Sequence, residues 1–341
     1  MSALSVLAPG LHSTIQDRGR YGYQAFGVPV SGALDGESHE IANRLSGNAA
    51  DAACLEIFYQ GPTMEVEATS VRISVAGSGA EIELLGQQSR RLGGWRSVTL
   101  ARGSRFRVRG PAAACAYLAV DGGFPVAPVL GSASTFVRGG FGGWRGRALQ
   151  AGDRLPLNRD SAEDRQELAL PTPPDTNDER AIRVVLGPQQ DYFTGAAIET
   201  LLSAKFRVSQ QADRMGLRLD GATLAHRGDY NIVSDGIATG AIQVPGSGQP
   251  ILLLADHQTT GGYPKIATVI SADLPLVGRR RPGDRIRFAA VDVAEAENLR
   301  RVQRAALDAL IATAVPAHPM IGLDLDRLHQ ANLISGVVFD H

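Results

Sequence analysis

The sequence is poor in cysteine, has no surplus of charge of either sign and contains no long apolar run. Its two cysteines, Cys54 and Cys115, cannot cross-link a chain of 341 residues, so we expect a reducing, cytoplasmic compartment. The 34 Lys and Arg residues are balanced by 35 Asp and Glu residues, which argues against a protein that binds nucleic acid or an acidic membrane surface. No run of about 18 apolar residues predicts a transmembrane span, and residues 1–10 do not resemble a secretion signal.

Several common cofactor and catalytic motifs are also missing. There is no G-x-x-x-x-G-K-[ST] loop for nucleotide phosphates and no G-x-S-x-G turn for a catalytic serine. Residues 76–82 lack the third glycine of a dinucleotide-binding fingerprint, and a strand pattern follows them. His39 is not followed by the second histidine of a zinc-protease helix, and the two cysteines are too far apart for a zinc knuckle. No feature of the sequence therefore predicts a metal site.

Glycine is abundant, with 39 residues, and it separates short apolar segments. Some of these segments alternate in polarity, which is typical of half-buried strands, and others are apolar throughout, which is typical of strands buried on both faces. The predicted strands include residues 71–76, 81–85, 105–109, 115–120, 182–186 and 251–255. This pattern predicts a mainly β fold of the barrel or sandwich type.

The sequence predicts few helices. They cover residues 36–45, 194–204 and 292–313. Asp35 is a suitable N-cap for the first helix, and Gly47 lies where a helix stop is expected. Asp292 and Glu295 resemble a capping box at the start of the last helix. The apolar stripe of that helix predicts a face that docks on the rest of the protein.

The stretch from Asn158 to Arg180 is polar, rich in proline and without periodicity, so we place a domain boundary there. The predicted division is an N-terminal half at 1–160, a linker at 161–180, a C-terminal half at 181–290, and a C-terminal helix and tail at 291–341. A glycine turn before an alternating strand recurs at 102–108, 151–157 and 282–288. The recurrence is compatible with unrelated hairpin turns and with a duplicated barrel, and the sequence does not decide between them.

Polar residues gather in four segments. The first, residues 13–22, holds Gln16, Asp17, Arg18 and Arg20 between glycines. One interpretation is a solvated turn with an Asp–Arg pair, which would contribute about 0–1 kcal/mol to stability. The other is a loop that presents Arg20 to an anion.

The second and third segments also allow structural interpretations. Residues 27–35 lead into the first helix, where free N–H groups could meet an anion. Residues 131–138 form a hydroxyl-rich segment with Ser134 and Thr135, which could equally be a polar turn. Glu56, between bulky apolar residues, is predicted either to face outward or to be buried and paired.

The fourth segment, from Asp256 to Lys265, is the densest in chemistry. It holds an acid, an imidazole, an amide, hydroxyls, a phenol and an ammonium group within ten positions, directly after the strand predicted at 251–255. His257 could act as a general acid or base near neutral pH, and Lys265 could neutralise a carboxylate or phosphate. This assortment favours a functional segment over a purely structural loop.

Taken in order, these segments resemble the carboxyltransferase family that includes allophanate hydrolase subunit 2, the C component of 5-oxoprolinase and the carboxyltransferase domain of urea carboxylase. The matching motifs are Thr14-Ile-Gln-Asp-Arg-Gly-Arg20, Gly27-Val-Pro-Val-Ser-Gly-Ala-Leu-Asp35, Ala42-Asn-Arg-Leu45, Gly47-Asn48, Leu55-Glu56, Gly61-Pro62, Tyr117-Leu-Ala-Val-Asp-Gly-Gly123, Gly131-Ser-Ala-Ser-Thr135, Gly187-Pro-Gln-Gln-Asp191, Asp213-Arg-Met-Gly216, Gly240-Ala-Ile-Gln-Val-Pro245 and Asp256-His-Gln-Thr-Thr-Gly-Gly-Tyr-Pro-Lys265. Two departures stand out: Ala133 replaces a frequent arginine, and Arg279-Arg280 replaces a less charged stretch.

The resemblance implies two cyclophilin-like β-barrel halves with a ligand cleft between them, a few short helices and a C-terminal helix. It also implies a complex with a subunit-1-type protein, similar to the B component of 5-oxoprolinase, and with a lactam-utilisation-type protein, similar to its A component. The first activity implied is ATP-dependent opening of 5-oxoproline, a small anionic substrate, to L-glutamate.

Two alternatives remain open. One is a carboxyltransferase of a biotin-dependent urea carboxylase system. Its biotin would arrive on a partner, because neither Lys205 nor Lys265 lies between methionines. The other is a non-catalytic regulator that binds a subunit-1-like kinase inhibitor.

For the lactam reaction, His257, Asp256 and Lys265 are the expected catalytic residues. His257 or Asp256 would move the proton, and Lys265 would hold the oxygens of a carboxylate or phosphate. The expected substrate- or anion-binding residues are Gln16, Asp17, Arg20, Asp35, Ser134, Thr135, Arg214, Gln243, Thr259, Thr260 and Tyr263.

Overall fold

The computed structural model describes residues 2–176 and 179–317, so the predicted tail beyond residue 317 lies outside the described residues. Strands account for 33% of the residues and helices for 17%. The prediction of a mainly β chain with barrel-like halves, few helices and a C-terminal helix is confirmed.

Two antiparallel sheets make up the N-terminal half. Its strands are β1 (Ala3–Ala8), β2 (His12–Gln16), β3 (Cys54–Phe58), β4 (Thr63–Val66), β5 (Ser70–Ala76), β6 (Glu81–Leu85), β7 (Arg90–Gly93), β8 (Arg96–Ala101), β9 (Arg105–Arg109), β10 (Cys115–Val120) and β11 (Arg154–Pro156). One sheet has the order β11-β1-β4-β9-β6-β7, and the other begins β2-β3-β10-β5-β8. Apolar residues of both sheets, such as Leu4, Ile57 and Phe106, form one buried cluster.

Strand β10 connects the two cores of the molecule. All six of its residues are buried, as its apolar sequence predicts. Leu118 and its neighbours on one face belong to the core of the N-terminal half. Tyr117 and its neighbours on the other face belong to a cluster that continues into the C-terminal half. The two halves therefore share a continuous apolar interior.

The C-terminal half is a nearly closed barrel. Its strands are β13 (Ile182–Leu186), β14 (Phe206–Asp213), β15 (Gly216–Asp220), β16 (Asp235–Gly236), β17 (Ala241–Gln243), β18 (Ile251–Leu253), β19 (Thr260–Gly261), β20 (Lys265–Val269), β21 (Arg285–Ile286) and β22 (Phe288–Ala290), with β12 (Leu168–Ala169) preceding them. The main sheet has the order β21-β14-β15-β18-β17-β20-β13-β22, and β16 pairs with β19 separately. Because β21 and β22 are consecutive, one stretch of chain joins both edges of the sheet and closes the barrel.

The helices begin and end close to where capping residues predict. They are α1 (Gly36–Ser46), α2 (Gly195–Ser203), α3 (Leu274–Gly278) and α4 (Val293–Ala312). The Asp35 side chain accepts a hydrogen bond from the Ser38 N–H, and Gly47 ends α1 in the left-handed conformation. The Asp292 side chain accepts from the Glu295 N–H, as a capping box requires.

The segment predicted as a linker is partly structured. Strand β12 lies within it, pairs with β8 and thereby extends the second sheet of the N-terminal half. After α4 the chain returns to the same place, because β23 (Val315–Pro316) pairs with β12. Arg304 of α4 also binds Glu40 of α1 with nitrogen–oxygen distances of 2.6 and 2.9 Å. The C-terminal helix therefore docks on the N-terminal half, while the domain boundaries themselves stay a prediction.

Candidate active site

A buried ion network joins the two halves. Arg214, at the turn from β14 to β15, points between Glu56 of β3 and Asp256, which follows β18. Its Nε and Nη2 atoms donate to the two Asp256 oxygens over 2.8 and 3.2 Å, and its Nη1 donates to Glu56. Burial opposes the charge of Arg214, but the attraction of Glu56 and Asp256 is stronger and raises the pKa of Arg214. Every nitrogen of this guanidinium is engaged, since Nη2 also donates to the Gly32 carbonyl over 2.8 Å.

The same network extends to the start of α1. Tyr117 donates its hydroxyl to Glu56 over 2.5 Å, and the Asp35 N–H donates to the Tyr117 oxygen. Arg279 grips both oxygens of Asp35 at 2.7 and 2.9 Å. Asp35 is thus a helix cap and an ion-pair partner, and the departure at Arg279 has a structural role.

Two clefts open between the halves on either side of this network. The first, named here the Ser31 cleft, has a volume of about 310 Å³. Its walls include Arg18, Gln24 and Ser31 from the N-terminal half and Thr239, Ala255 and Leu274 from the C-terminal half. The second, the His12 cleft, has a volume of about 260 Å³ and is more apolar, with His12, Phe58, Arg138, Met215 and Asp256 among its walls.

Ser31 has an unusual conformation. Its φ of 55° lies in the left-handed region, which is rare for residues other than glycine. The Ser31 N–H donates to the Ala255 carbonyl over 2.9 Å, which fixes this residue against the C-terminal half. Its hydroxyl is buried and has no hydrogen-bond partner among the described residues. Strain combined with an unsatisfied polar group in a cleft is typical of a ligand-binding position.

His257 lies behind the wall of the Ser31 cleft. Its Nδ1 is 2.5 Å from the Gln258 carbonyl, and its Nε2 is 3.2 Å from the Thr239 hydroxyl. A carbonyl only accepts hydrogen bonds, so Nδ1 carries the proton and Nε2 is the acceptor for Thr239. Burial lowers the pKa of His257, which keeps the ring neutral at pH 7. Because Thr239 lines the Ser31 cleft, this pair connects the cleft to a neutral imidazole nitrogen.

Lys265 positions the loop that leads to Thr239. Its buried ammonium donates to Asp235 over 2.7 Å and to the Gly236 carbonyl over 3.1 Å. The hydrogen bond from Lys265 lowers the pKa of Asp235. Gln189 donates to Asp235 over 3.2 Å as well. The result is a fixed Asp235–Gly236 corner three residues before Thr239.

The remaining polar residues of this segment surround that corner. Gln243 donates to the Tyr263 carbonyl and accepts from Gln258, with separations of 3.4 and 3.3 Å. Thr259 is buried, and its carbonyl accepts a hydrogen bond from the Ile237 N–H. Thr260 lies in β19 and is exposed, and Tyr263 is 40% exposed.

The predicted residues of the first and third segments form a hydrogen-bonded cluster within the N-terminal half. Asp17 accepts hydrogen bonds from the hydroxyls of Ser132 and Ser134. Burial alone would raise the pKa of Asp17, but these hydrogen bonds outweigh it and lower that pKa. Arg20 donates to the Ser134 carbonyl over 2.6 Å and stacks on Phe141. This cluster orders the loop that carries Ser31, because the Arg20 N–H donates to the Val30 carbonyl.

Gln16 and Thr135 belong to this hydrogen-bonded cluster as well. Gln16 donates to the Thr135 carbonyl over 3.1 Å, and the Thr135 hydroxyl donates to the Ile15 carbonyl. Both residues are fully buried. They fasten the loop at 131–138 to strand β2.

The predicted cations therefore lie at separate places in the structure and do not surround one common anion-binding site. Arg20 binds backbone carbonyls, Arg214 binds carboxylates of both halves, and Lys265 binds Asp235. Asp256 and His257 are adjacent in sequence but belong to different clefts. Asp256 binds Arg214 and lines the His12 cleft, whereas His257 contacts Thr239 of the Ser31 cleft.

Sequence reasoning missed several residues of the site. Thr239 is not among the expected residues, because a single hydroxyl in a glycine-flanked loop gives no local signal. Ser31 lies in the segment 27–35, which was expected to offer backbone N–H groups to an anion, but its hydroxyl was not expected to take part. Glu56 did give a local signal, and of its two predicted environments the buried, paired one is correct. His12 was not predicted either; burial, together with the charge of Arg214, lowers its pKa.

Residues 2–176 and 179–317 lack two classes of feature. No group of three or more His, Cys, Asp or Glu side chains is placed to hold a metal ion there. No helix in that part of the chain is long and apolar enough to cross a membrane.

Comparison with known proteins gives consistent matches along the chain. The family model described as carboxyltransferase domain, subdomain A and B, matches residues 26–290. The C component of 5-oxoprolinase from Escherichia coli (strain K12) is 36% identical over 302 residues, which are 88% of this chain and 95% of that protein. The same component from Haemophilus influenzae is 35% identical over 305 residues, covering 89% and 96%. The crystal structure of Kluyveromyces lactis urea carboxylase matches 90% of this chain with a TM-score of 0.81 and 31% identity, over 29% of its own length.

Proposed function

The chain belongs to the family of carboxyltransferase domains with subdomains A and B, and from this membership we propose that it is one component of a 5-oxoprolinase-type complex. The reaction we propose is the ATP-dependent opening of 5-oxoproline to L-glutamate. The observation that carries the proposal is the match to 5-oxoprolinase C components over 88% of this chain and 95% of the relative. The name of those relatives supports a complex with further subunits, which we propose are similar to the A and B components.

We propose that the Ser31 cleft holds the lactam. Its volume of about 310 Å³ suits an amino-acid-sized ring, and its walls come from both halves. We propose that the Ser31 hydroxyl, which is buried and has no partner among the described residues, turns towards the cleft to donate to the lactam oxygen, where negative charge develops when the ring carbon is attacked. Arg18 uses one nitrogen for Glu40 and is half exposed, so its other nitrogens can hold the substrate carboxylate.

We propose that His257 accepts a proton, through the Thr239 hydroxyl, from the water that attacks the lactam carbon, and returns it to the ring nitrogen when the C–N bond breaks. The imidazole is neutral, its tautomer is fixed by the Gln258 carbonyl, and its free nitrogen meets the Thr239 hydroxyl. A base in hydrogen-bond reach of a hydroxyl, and oriented by a third group, is the arrangement that general-base catalysis requires. Lys265 is then a positioning residue, because it holds the corner from which Thr239 extends.

The Ser31 cleft is not suited to hold the whole ATP molecule. ATP would supply the phosphoryl group that makes the lactam carbon reactive. Arg18 is the one cation among the described residues that line the Ser31 cleft, and Lys265 lies behind the wall with Asp235, so the cleft offers too few cations for a triphosphate. We therefore propose that the nucleotide is held mainly outside this cleft, with only its γ-phosphoryl group reaching the lactam oxygen.

The compartment we propose is the cytoplasm. Cys54 and Cys115 are both buried as free thiols. Burial raises the pKa of each thiol, so both stay protonated and unreactive at neutral pH.

Reconstitution tests the proposal. The chain, purified with its neighbouring subunits, should release glutamate from 5-oxoproline only when ATP is present. Omission of this chain should stop the release. Release that continues without the chain would refute a catalytic or assembly role for it.

A matched pair of variants tests the proton path. Thr239→Val keeps the shape of the side chain but removes the hydroxyl, so turnover should fall by about 10²–10⁴-fold. Thr268→Val, at a position of strand β20 that does not line the Ser31 cleft, is the control and should retain activity. Equal activity of the two variants would eliminate the proposed role of Thr239 and His257.

A carboxyltransferase function is the second candidate. It is favoured by the match to Kluyveromyces lactis urea carboxylase at a TM-score of 0.81. Biotin would then be delivered by a partner, and donors such as the amide of Gln243 or the hydroxyls of Ser134 and Thr135 would hold its ureido ring. Biotin-dependent carboxylation of urea, without glutamate release from 5-oxoproline, would decide for this candidate.

A further inference from the structure

A group of positively charged side chains lies on the outside of the C-terminal barrel, where β21 closes it against β14. Lys205 directly precedes β14 and Arg207 is the second residue of that strand, and Arg285 and Arg287 lie on the closing segment. All four side chains are exposed, while the apolar residues between them are buried, as alternation along a strand requires. The four cations therefore share the outer face of the barrel.

Two of these positive charges lie at directly opposite positions of neighbouring strands. Arg207 and Arg285 are direct partners in the antiparallel pair of β14 and β21. Like charges in directly opposite positions destabilise a sheet. Among residues 2–176 and 179–317, none of the four cations forms a salt bridge, and Asp220, which lies opposite Arg207 on β15, is not its ion-pair partner. This concentration contrasts with a formal charge of −1 for the whole chain.

The surface here is concave. A depression of about 440 Å³ is lined by Lys205, Arg285 and Arg287, with Arg280 beside them. Two acidic residues, Glu179 and Asp284, also border it, but among the described residues neither carboxylate forms a salt bridge with Lys205, Arg285 or Arg287. Asp284 accepts the Arg281 N–H over 2.8 Å, and Glu179 meets Arg287 through its backbone carbonyl.

We propose that this depression binds the phosphate groups of a small molecule. Guanidinium groups hold phosphate oxygens in pairs of parallel hydrogen bonds, and an ammonium group adds a further point charge. A bound polyanion would also place negative charge beside Arg285, whose direct strand partner is the like-charged Arg207. The site shares no residue with the Ser31 cleft or the His12 cleft.

Calorimetric titration of the full chain at low ionic strength tests the site. Tripolyphosphate, ATP and inorganic phosphate are the probes. Tripolyphosphate should bind with one-to-one stoichiometry, and its affinity should fall as salt is added because the contacts are exposed. ATP binding as tightly as tripolyphosphate would identify phosphate as the recognised part, and much tighter ATP binding would add a contact to the nucleoside.

The variant Arg285→Ser/Arg287→Ser should weaken tripolyphosphate binding at least tenfold. Both residues are exposed, so the fold and its melting temperature should be retained. Arg90→Ser, at an exposed position of β7 in the N-terminal half, is the matched control and should bind as the parent does. Absence of binding by all three probes, or an equal loss in the Arg90 variant, would overturn the proposal. Since only binding is measured, the result is independent of whether the complex opens 5-oxoproline.

Discussion

Removal of Arg214 should be one of the most damaging single changes in this protein. Arg214→Met retains much of the apolar length of the side chain but deletes the charge between Glu56 and Asp256. Glu56 is 0% exposed and Asp256 is 7% exposed, so water cannot replace the lost partner. Two carboxylates from different halves would then face each other without compensation.

The magnitude follows from this geometry. Deletion of one member of a buried ion pair typically costs about 3–5 kcal/mol of unfolding free energy. Here one arginine serves two carboxylates and the Gly32 carbonyl, so we expect a loss at the upper end, about 5 kcal/mol. The exposed pair of Arg105 and Glu65 provides the control, since Arg105→Met should cost about 0–1 kcal/mol.

Urea unfolding monitored by circular dichroism measures both variants. Protonation relieves an uncompensated buried carboxylate, so lowering the pH should recover part of the loss in Arg214→Met. The second change Glu56→Gln in the same chain should recover part of it at neutral pH. A loss no larger than that of the Arg105 control would refute the account of Arg214 as the ionic link between the halves.

Two further predictions concern His39 and Lys265. Burial lowers the pKa of His39 to about 4. In the unfolded chain the pKa of His39 is about 6.5, so the unfolded state takes up a proton there before the folded state does. The unfolding free energy is therefore unaffected by His39 above about pH 6.5 and decreases as the pH falls towards 4, by about 3 kcal/mol in total. His39→Leu should flatten the dependence of unfolding free energy on pH in that window, and an unchanged slope would contradict the assignment. Lys265→Met should lower glutamate release by the complex but destabilise the chain far less than Arg214→Met, because the Asp235 side chain is 52% exposed and can be hydrated. A loss of stability as large as that of Arg214→Met would show that Lys265 acts mainly as a structural group.

Local features of the sequence determined much of the fold. The cap at Asp35 and the stop at Gly47 are predictable because a helix end is satisfied by residues within one turn of it. The all-buried strand β10 is recognisable because six consecutive apolar residues cannot alternate between core and water. The ordered motifs from residue 14 to residue 265 indicate the family, as the match over residues 26–290 confirms.

Tertiary structure alone decided how the polar residues are used. Arg214 and Glu56 are 158 positions apart, and no local pattern states that the turn after β14 meets strand β3. The same holds for Thr239, which gains a proposed role only because the chain folds its hydroxyl onto His257. Strand β12 lies in the predicted linker because its two residues acquire a strand conformation only by pairing with β8 and β23. Local sequence fixes caps, turns and alternation, since these depend on neighbouring residues, whereas the partner of a buried charge depends on which distant elements the topology brings together.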